Sequence, residues 1–275
     1  MNKGLETKVK AFAKAVRETQ IEMFRDLGFG HVGGSLSATD LFAVLYEGIM
    51  KYDPTDPTWD KRDRLVVSKG HSGPALYSTL ALKGFFPKAW LSTLNRGGTN
   101  LPSHCDRNKT PGVDMTTGSL GQGASTALGM AMALKKTGQN VFLLLGDGEC
   151  DEGQVWEMAL SAAHHKVGNL IAFVDYNHKQ LDGTTEEILD LGDLGAKFEA
   201  FGWYTQVVNG HDVAQLYEAI EQAQKKDDDR PSMIVMETIK GKGVSFVEDT
   251  EYNHHITLSD EQAAQAMEEI NQGCQ

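Results

Sequence analysis

Cysteine is scarce in this chain: three among 275 residues, at Cys105, Cys150 and Cys274, scattered and without ligand spacing. That excludes a disulfide framework and a thiolate metal centre, and it suits a reducing compartment. Long apolar runs are missing too. None approaches the ~20 residues that cross a bilayer, and no secretory leader is recognisable, so a cytoplasmic protein without membrane contact is expected. Basic charge is in deficit, with 26 Lys and Arg against 38 Asp and Glu and a formal net charge of −12. No basic patch stands out beyond short pairs, which argues against a nucleic-acid partner. Internal repeats and low-complexity tracts are also absent. What is present is enough chain, 40% of it hydrophobic, to build a large core. We expect one domain over residues 1–275.

The most informative stretch is Val141-Phe-Leu-Leu-Leu-Gly-Asp-Gly-Glu149. A short apolar run stops abruptly at Gly146-Asp147-Gly148, as a buried strand does at a tight turn. From Glu152 to Lys166, Val155, Trp156, Ala159, Leu160 and Ala163 recur at helical spacing. A second apolar run, Leu170 to Val174, ends in Asp175-Tyr176-Asn177. This strand-turn-helix-strand unit should have a right-handed crossover and parallel neighbouring strands. Asp147 and Asn177 then stand at adjacent carboxyl ends, where open α/β sheets bind ligands. A carboxylate, an amide oxygen and backbone carbonyls suit Mg²⁺ or Ca²⁺ with phosphates completing the shell, and Gly148 would let a diphosphate approach the backbone. Cys150 beside this turn has no base positioned by sequence and is not expected to act as a nucleophile.

Elsewhere, Leu5 to Leu27 reads as an amphipathic helix. Gly28 to Ser37 reads as a glycine-rich loop into a helix capped by Thr39 or Asp40 and carrying Leu41, Phe42, Val44, Leu45 and Ile49. Arg62 to His71 gives a short strand and a Lys-Gly-His turn, followed by a helix from Pro74 to Leu82. Gly97 to Gly112 is a long irregular stretch of the kind that forms binding loops. Thr116 to Gly123 opens a small-residue helix from Ala124 to Lys136. Further helices are expected at Leu194–Phe201, Val213–Lys225 and Ser259–Ile270, with strands at Trp203–Val208 and Ser232–Thr238.

Several of these segments together resemble transketolases and their relatives. The match is carried by Gly146-Asp147-Gly148 with Asn177, by Arg62-Asp63-Arg64 with Ser68-Lys69-Gly70-His71, by Gly118-Ser119-Leu120-Gly121-Gln122-Gly123, by His31-Val32-Gly33-Gly34, and by Lys240-Gly241-Lys242-Gly243. Three departures stand out: Tyr176-Asn177 where many relatives have two Asn, Val32 where Pro is common, and Ser103-His104-Cys105 in place of Gly-His-Pro. The resemblance implies an α/β, three-layer αβα fold with a mainly parallel central sheet that binds thiamine diphosphate. It places Mg²⁺, with Ca²⁺ or Mn²⁺ as substitutes, on Asp147, Asn177 and the Lys179 carbonyl. It places Lys69 and Lys240 with Gly146 and Gly148 at the diphosphate, Leu181 against the thiazolium, and Gly118, Ser119 and Leu120 on the aminopyrimidine. His31, His71, His104 and His254 would line the substrate channel, with His71 and His254 also touching the cofactor. His255 would be a passenger and His211 structural.

The implied activity is transfer of a two-carbon glycolaldehyde unit from a ketose phosphate to an aldose phosphate. No region resembles the pyrimidine-binding domain that carries the family's catalytic Glu. The expectation is therefore an N-terminal subunit of a split transketolase. A C-terminal subunit with pyrimidine-binding and C-terminal domains would complete it, most simply as an α₂β₂ heterotetramer. Glu152 and Glu157 would face that partner or form surface ion pairs. The alternatives are a related ketol transferase acting on a branched or sulfonated sugar, and a non-catalytic thiamine-diphosphate-binding protein.

Overall fold

The computed structural model describes residues 1–273; Cys274 lies outside them. In chain order the elements begin with α1 (Lys3–Leu27), β1 (Phe29–Gly30), α2 (Val32–Ser37), α3 (Thr39–Val44), β2 (Arg64–Val67) and α4 (Gly73–Leu82). They continue with α5 (Gln122–Leu134), β3 (Val141–Gly146), α6 (Gly153–His164), β4 (Leu170–Tyr176), α7 (Thr185–Ile188) and α8 (Leu194–Ala200). The last third holds β5 (Tyr204–Asn209), α9 (Val213–Lys225), β6 (Ser232–Glu237), α10 (Ser245–Glu248), β7 (Ile256–Thr257) and α11 (Asp260–Gly273).

Five strands form one fully parallel sheet in the order β2-β3-β4-β6-β5, as expected for a three-layer αβα fold. The continuous apolar runs follow from burial on both faces. Phe142 and Leu144 of β3, Ile171 and Phe173 of β4, and Ile234 and Met236 of β6 pack into one core with α1, α3, α4, α9 and α11. The alternate residues Val141, Leu143 and Leu145, Leu170, Ala172 and Val174, and Met233 and Val235 enter a second core under α5, α6 and α8. The period-2 side-chain direction of a strand divides the two cores residue by residue. A two-stranded antiparallel ribbon, β1 with β7, ties the end of α1 to the segment before α11. Among the described residues no helix is long and apolar enough to cross a membrane.

Two local expectations change. The glycine-rich stretch at 32–37 is helical and wholly buried rather than a loop. Burial forces its backbone groups to find partners, and a helical turn supplies most of them. Gly33 N–H donates to the Asn253 carbonyl and Gly241 N–H to the Gly33 carbonyl, while a methyl on Gly33 would collide with Asn253. The glycines serve close packing here. Neither Thr39 nor Asp40 caps α3, whose N-cap is Ala38. Asp40 instead turns inward to Arg17 and His211. α11 is capped by Ser259, whose Oγ accepts from Gln262 N–H at 3.2 Å.

Candidate active site

Parallel strands deliver their carboxyl ends to one side of the sheet, and there β2, β3 and β4 bring Lys69, Asp147 and Asn177 together. A cavity of about 230 Å³ opens at that point. Gly146, Asp147, Gly148, Asn177, Lys179 and Lys240 line it. Lys69, His71, His104, Gly118, Leu120, Leu181 and His254 line it as well. Of the residues that the resemblance assigns to metal, cofactor or substrate, all line it except His31 and Ser119. His31 lies one layer behind, its ring 5.9 Å from that of His71, 5.4 Å from His104 and 5.3 Å from His254. Leu181 is 58% exposed at the mouth. Gly118 has φ 141 and lies under the His104 ring, a close approach in a conformation that favours glycine.

The oxygens around Asp147 are fixed by backbone. Its Oδ1 accepts from Gly148 N–H at 2.8 Å and its Oδ2 from Asn177 N–H at 3.0 Å. Asn177 Nδ2 donates to Asp175 Oδ2 at 3.1 Å, which orients the amide, and its Oδ1 accepts from Lys179 N–H at 3.3 Å. Lys240 Nζ donates to the carbonyls of Lys179 and Gln180, each at 3.0 Å. Burial first, and then the charge of Asp175, raise the Asp147 carboxyl to about 6. Burial first, and then the Lys69 charge, lower the Lys240 ammonium to about 8. Among the described residues no cluster of three His, Cys, Asp or Glu side chains could hold a metal. The candidate donors are a carboxylate, an amide oxygen and a peptide carbonyl, a hard-oxygen set that fits Mg²⁺ keeping phosphates in its shell. An ammonium already rests on one of the three.

The histidines make a contiguous row of rings. His71 and His254 lie 4.6 Å apart. Burial, followed by the Lys240 charge, pushes His254 down to about 3. Burial, followed by His104 and His255, pushes His31 down to about 4. Burial and Lys69 hold His71 well below its ordinary value, and burial lowers His104. The row is neutral at pH 7. His255 packs edge-on against His31 at 5.0 Å and tilted against Phe29 at 5.3 Å. His211 is structural: its Nδ1 meets Asp40 Oδ2 at 2.9 Å, and its Nε2 accepts from Ile239 N–H at 2.8 Å.

Three site residues escaped sequence reasoning. Asp175 is fully buried, is ion-paired with Lys69, and accepts from Ser37 Oγ at 2.6 Å and Thr238 Oγ1 at 2.5 Å. Lys69 therefore lines the cavity with its ammonium already engaged. A charged residue ending an apolar strand was the available signal. Glu149, also buried, accepts from Ser68 Oγ, from Gly121 N–H at 2.9 Å and from Gly146 N–H at 3.0 Å. Gln180 lies against Gly148 and donates to Asp151 at 2.7 Å; nothing in its local sequence marks it. Cys150 is buried with its thiol 3.4 Å from the Gly146 carbonyl, and burial raises its pKa, so it is no nucleophile. Glu152 and Glu157 are exposed and have no ion-pair partner among the described residues.

Residues 8–273 match the family described as transketolase, thiamine diphosphate binding domain. The chain is 51% identical over 260 residues to a 6-deoxy-6-sulfo-D-fructose transketolase subunit of Clostridium sp. (strain MSTE9), covering 94% of each. It is 38% identical over 261 residues to one subunit of the apulose-4-phosphate transketolase of Phocaeicola vulgatus, covering 93% of this chain and 91% of that one. The crystal structure of transketolase from Campylobacter jejuni superposes with a TM-score of 0.90 at 32% identity, over 98% of this chain and 43% of that one. This chain belongs to the transketolase family and represents its N-terminal, thiamine-diphosphate-binding part.

Proposed function

We propose that this chain is the diphosphate-binding subunit of a split, Mg²⁺-dependent transketolase of the cytoplasm. With a second subunit it moves a two-carbon ketol unit from a ketose to an aldose phosphate. The observation that carries the reading is the meeting of Asp147, Asn177 and the Lys179 carbonyl with Lys240 and a row of neutral histidines in one cavity. Thiamine diphosphate, when bound, supplies the nucleophilic carbon and the electron sink.

The chain's own residues do the rest. Asp147, Asn177 and the Lys179 carbonyl would hold Mg²⁺ on the diphosphate, and Lys240 would neutralise phosphate oxygens. Gly118, Ser119 and Leu120 present backbone to the aminopyrimidine, and Leu181 covers the thiazolium. His71, His104 and His254, uncharged, hydrogen-bond sugar hydroxyls in either sense and pass protons among them, with His31 holding the row in place. Glu149 is the buried glutamate beside the cavity, but both its oxygens are already engaged, by Ser68 and Gly121 on one and Gly146 on the other. We therefore assign the carboxylate that activates the aminopyrimidine to a partner chain. The relatives named as subunits, matched over nearly their whole length, support that assignment. An α₂β₂ assembly is its simplest form.

A sulfonated donor is a second reading, favoured by the 51% identity to the 6-deoxy-6-sulfo-D-fructose transketolase subunit. The test is a native pull-down of this chain from its host, followed by ketol-transfer assays with fructose 6-phosphate and with 6-deoxy-6-sulfofructose. We expect a second chain to co-purify, with activity that disappears when the two are separated. The preferred donor decides between the readings. Turnover by this chain alone would remove the split-enzyme proposal. A lone, cofactor-loaded, inactive chain would leave a binding protein.

A further inference from the structure

The charges at the cavity balance. Asp147 and Asp175 supply two negative charges, and Lys69 and Lys240 two positive ones. Glu149 and Lys179 also border it and offset each other; the Lys179 ammonium donates to the Glu248 and Thr250 carbonyls. Lys69 is spent on Asp175, which leaves Lys240 as the counter-charge for Asp147. Lys240 is only 3% exposed, and its ammonium rests on the Lys179 carbonyl, one of the three oxygens a metal would need, and on the neighbouring Gln180 carbonyl. A divalent ion arriving alone would find no net negative charge, an ammonium already on its ligand, and one carboxylate. Mg²⁺ gives up its water reluctantly and is seldom held by so few protein charges without phosphate. A diphosphate reverses the balance: its oxygens draw the ammonium off the carbonyls and supply the missing negative charge.

We propose that Lys240 is a tethered cation that keeps free divalent metal out of the Asp147–Asn177–Lys179 site, so that metal is retained only together with a diphosphate. The inference rests on the cofactor assignment above and adds an order of loading to it. The residue that helps bind the diphosphate also guards the metal ligands, so removing it should have opposite effects on the two ligands.

The experiment uses the full chain, stripped with chelator, and Mn²⁺ as the probe, with protein-bound metal read by electron paramagnetic resonance. The wild type should bind Mn²⁺ alone at least about tenfold more weakly than in the presence of thiamine diphosphate or inorganic pyrophosphate. Lys240→Met should tighten binding of Mn²⁺ alone by about tenfold and weaken retention of thiamine diphosphate by a similar factor. Equal affinity of the wild type for Mn²⁺ with and without pyrophosphate overturns the proposal, and this arm needs no variant to fold. So does a Lys240→Met chain whose affinity for Mn²⁺ alone is unchanged. Absence of Mn²⁺ retention with thiamine diphosphate in both chains, and also in the complex with the co-purifying second chain, overturns the cofactor assignment as well.

Discussion

Asp147 is charged at neutral pH against the preference of its surroundings. Burial and the nearby Asp175 raise its carboxyl from the ordinary value of 3.8 to about 6. A raised folded-state value means the native chain holds its proton more tightly than the unfolded chain does. The stability this contributes is present below the ordinary value and lost as pH rises through about 6. Asp147→Asn should therefore raise the Tm of the ligand-free chain at pH 7.5 while abolishing metal-dependent retention of thiamine diphosphate. A Tm that falls at pH 7.5 and is unchanged at pH 4 would contradict this account. Lys69 and Asp175 differ, because they are paired with each other in a dry site. Removing either alone should cost about 3–5 kcal/mol, since it leaves an uncompensated buried charge. Lys69→Met with Asp175→Leu should cost clearly less than the sum of the single changes. Urea unfolding of the three variants measures this coupling.

At the scale of elements, the site depends on segments that sequence patterns describe poorly. The loop carrying Lys240 follows β6 and is pinned from outside the cavity. His211, in the turn before α9, accepts from Ile239 N–H and meets Asp40 of α3, which Arg17 of α1 also holds. Burial opposes the charge of Asp40, but Arg17 and His211 bring its carboxyl down to about 2, so the brace ends on an Asp40–Arg17 ion pair at working pH. His211→Ala should speed amide exchange at Ile239 and its neighbours and weaken diphosphate retention severalfold, with exchange in α5 and α6 unchanged. Hydrogen-exchange mass spectrometry separates this from general unfolding. The buried helix α2 belongs to the same scale. The motif His31-Val32-Gly33-Gly34 was recognisable in the sequence as functional, but its glycine density suggested a loop. The helix became evident only once Asn253, Gly241 and His71 were seen packed against it.

At the scale of the molecule, a single parallel sheet separates two cores and presents the carboxyl ends of its strands to one cavity. β4 lies at its centre, and Phe173 is fully buried in the core beneath α1 and α9. Phe173→Ala should cost about 3–5 kcal/mol in urea unfolding, through lost burial and an unfilled cavity. The transition should stay single if the two cores unfold together. Separate transitions would show that the sheet does not couple them.

What the sequence determined by itself was the order and kind of the main elements, and the strand ends where chemistry would sit. Strands buried on both faces are written as unbroken apolar runs, as at Val141 to Leu145 and Leu170 to Val174. The turns that follow them, at Gly146 and Asn177, are local events. The motifs also brought the histidines to notice, although their neutrality is a property of burial that no motif spells out. Only the tertiary structure showed that Asp175 takes the charge of Lys69, that Glu149 is saturated, that Asp40 faces Arg17 and His211 instead of capping a helix, and that Lys240 rests on the Lys179 carbonyl. These contacts join residues far apart in the chain, from 23 positions for Asp40 with Arg17 to 171 for Asp40 with His211. The pairing of a buried charge depends on which groups the packed core brings within a few ångströms, and no local pattern encodes that.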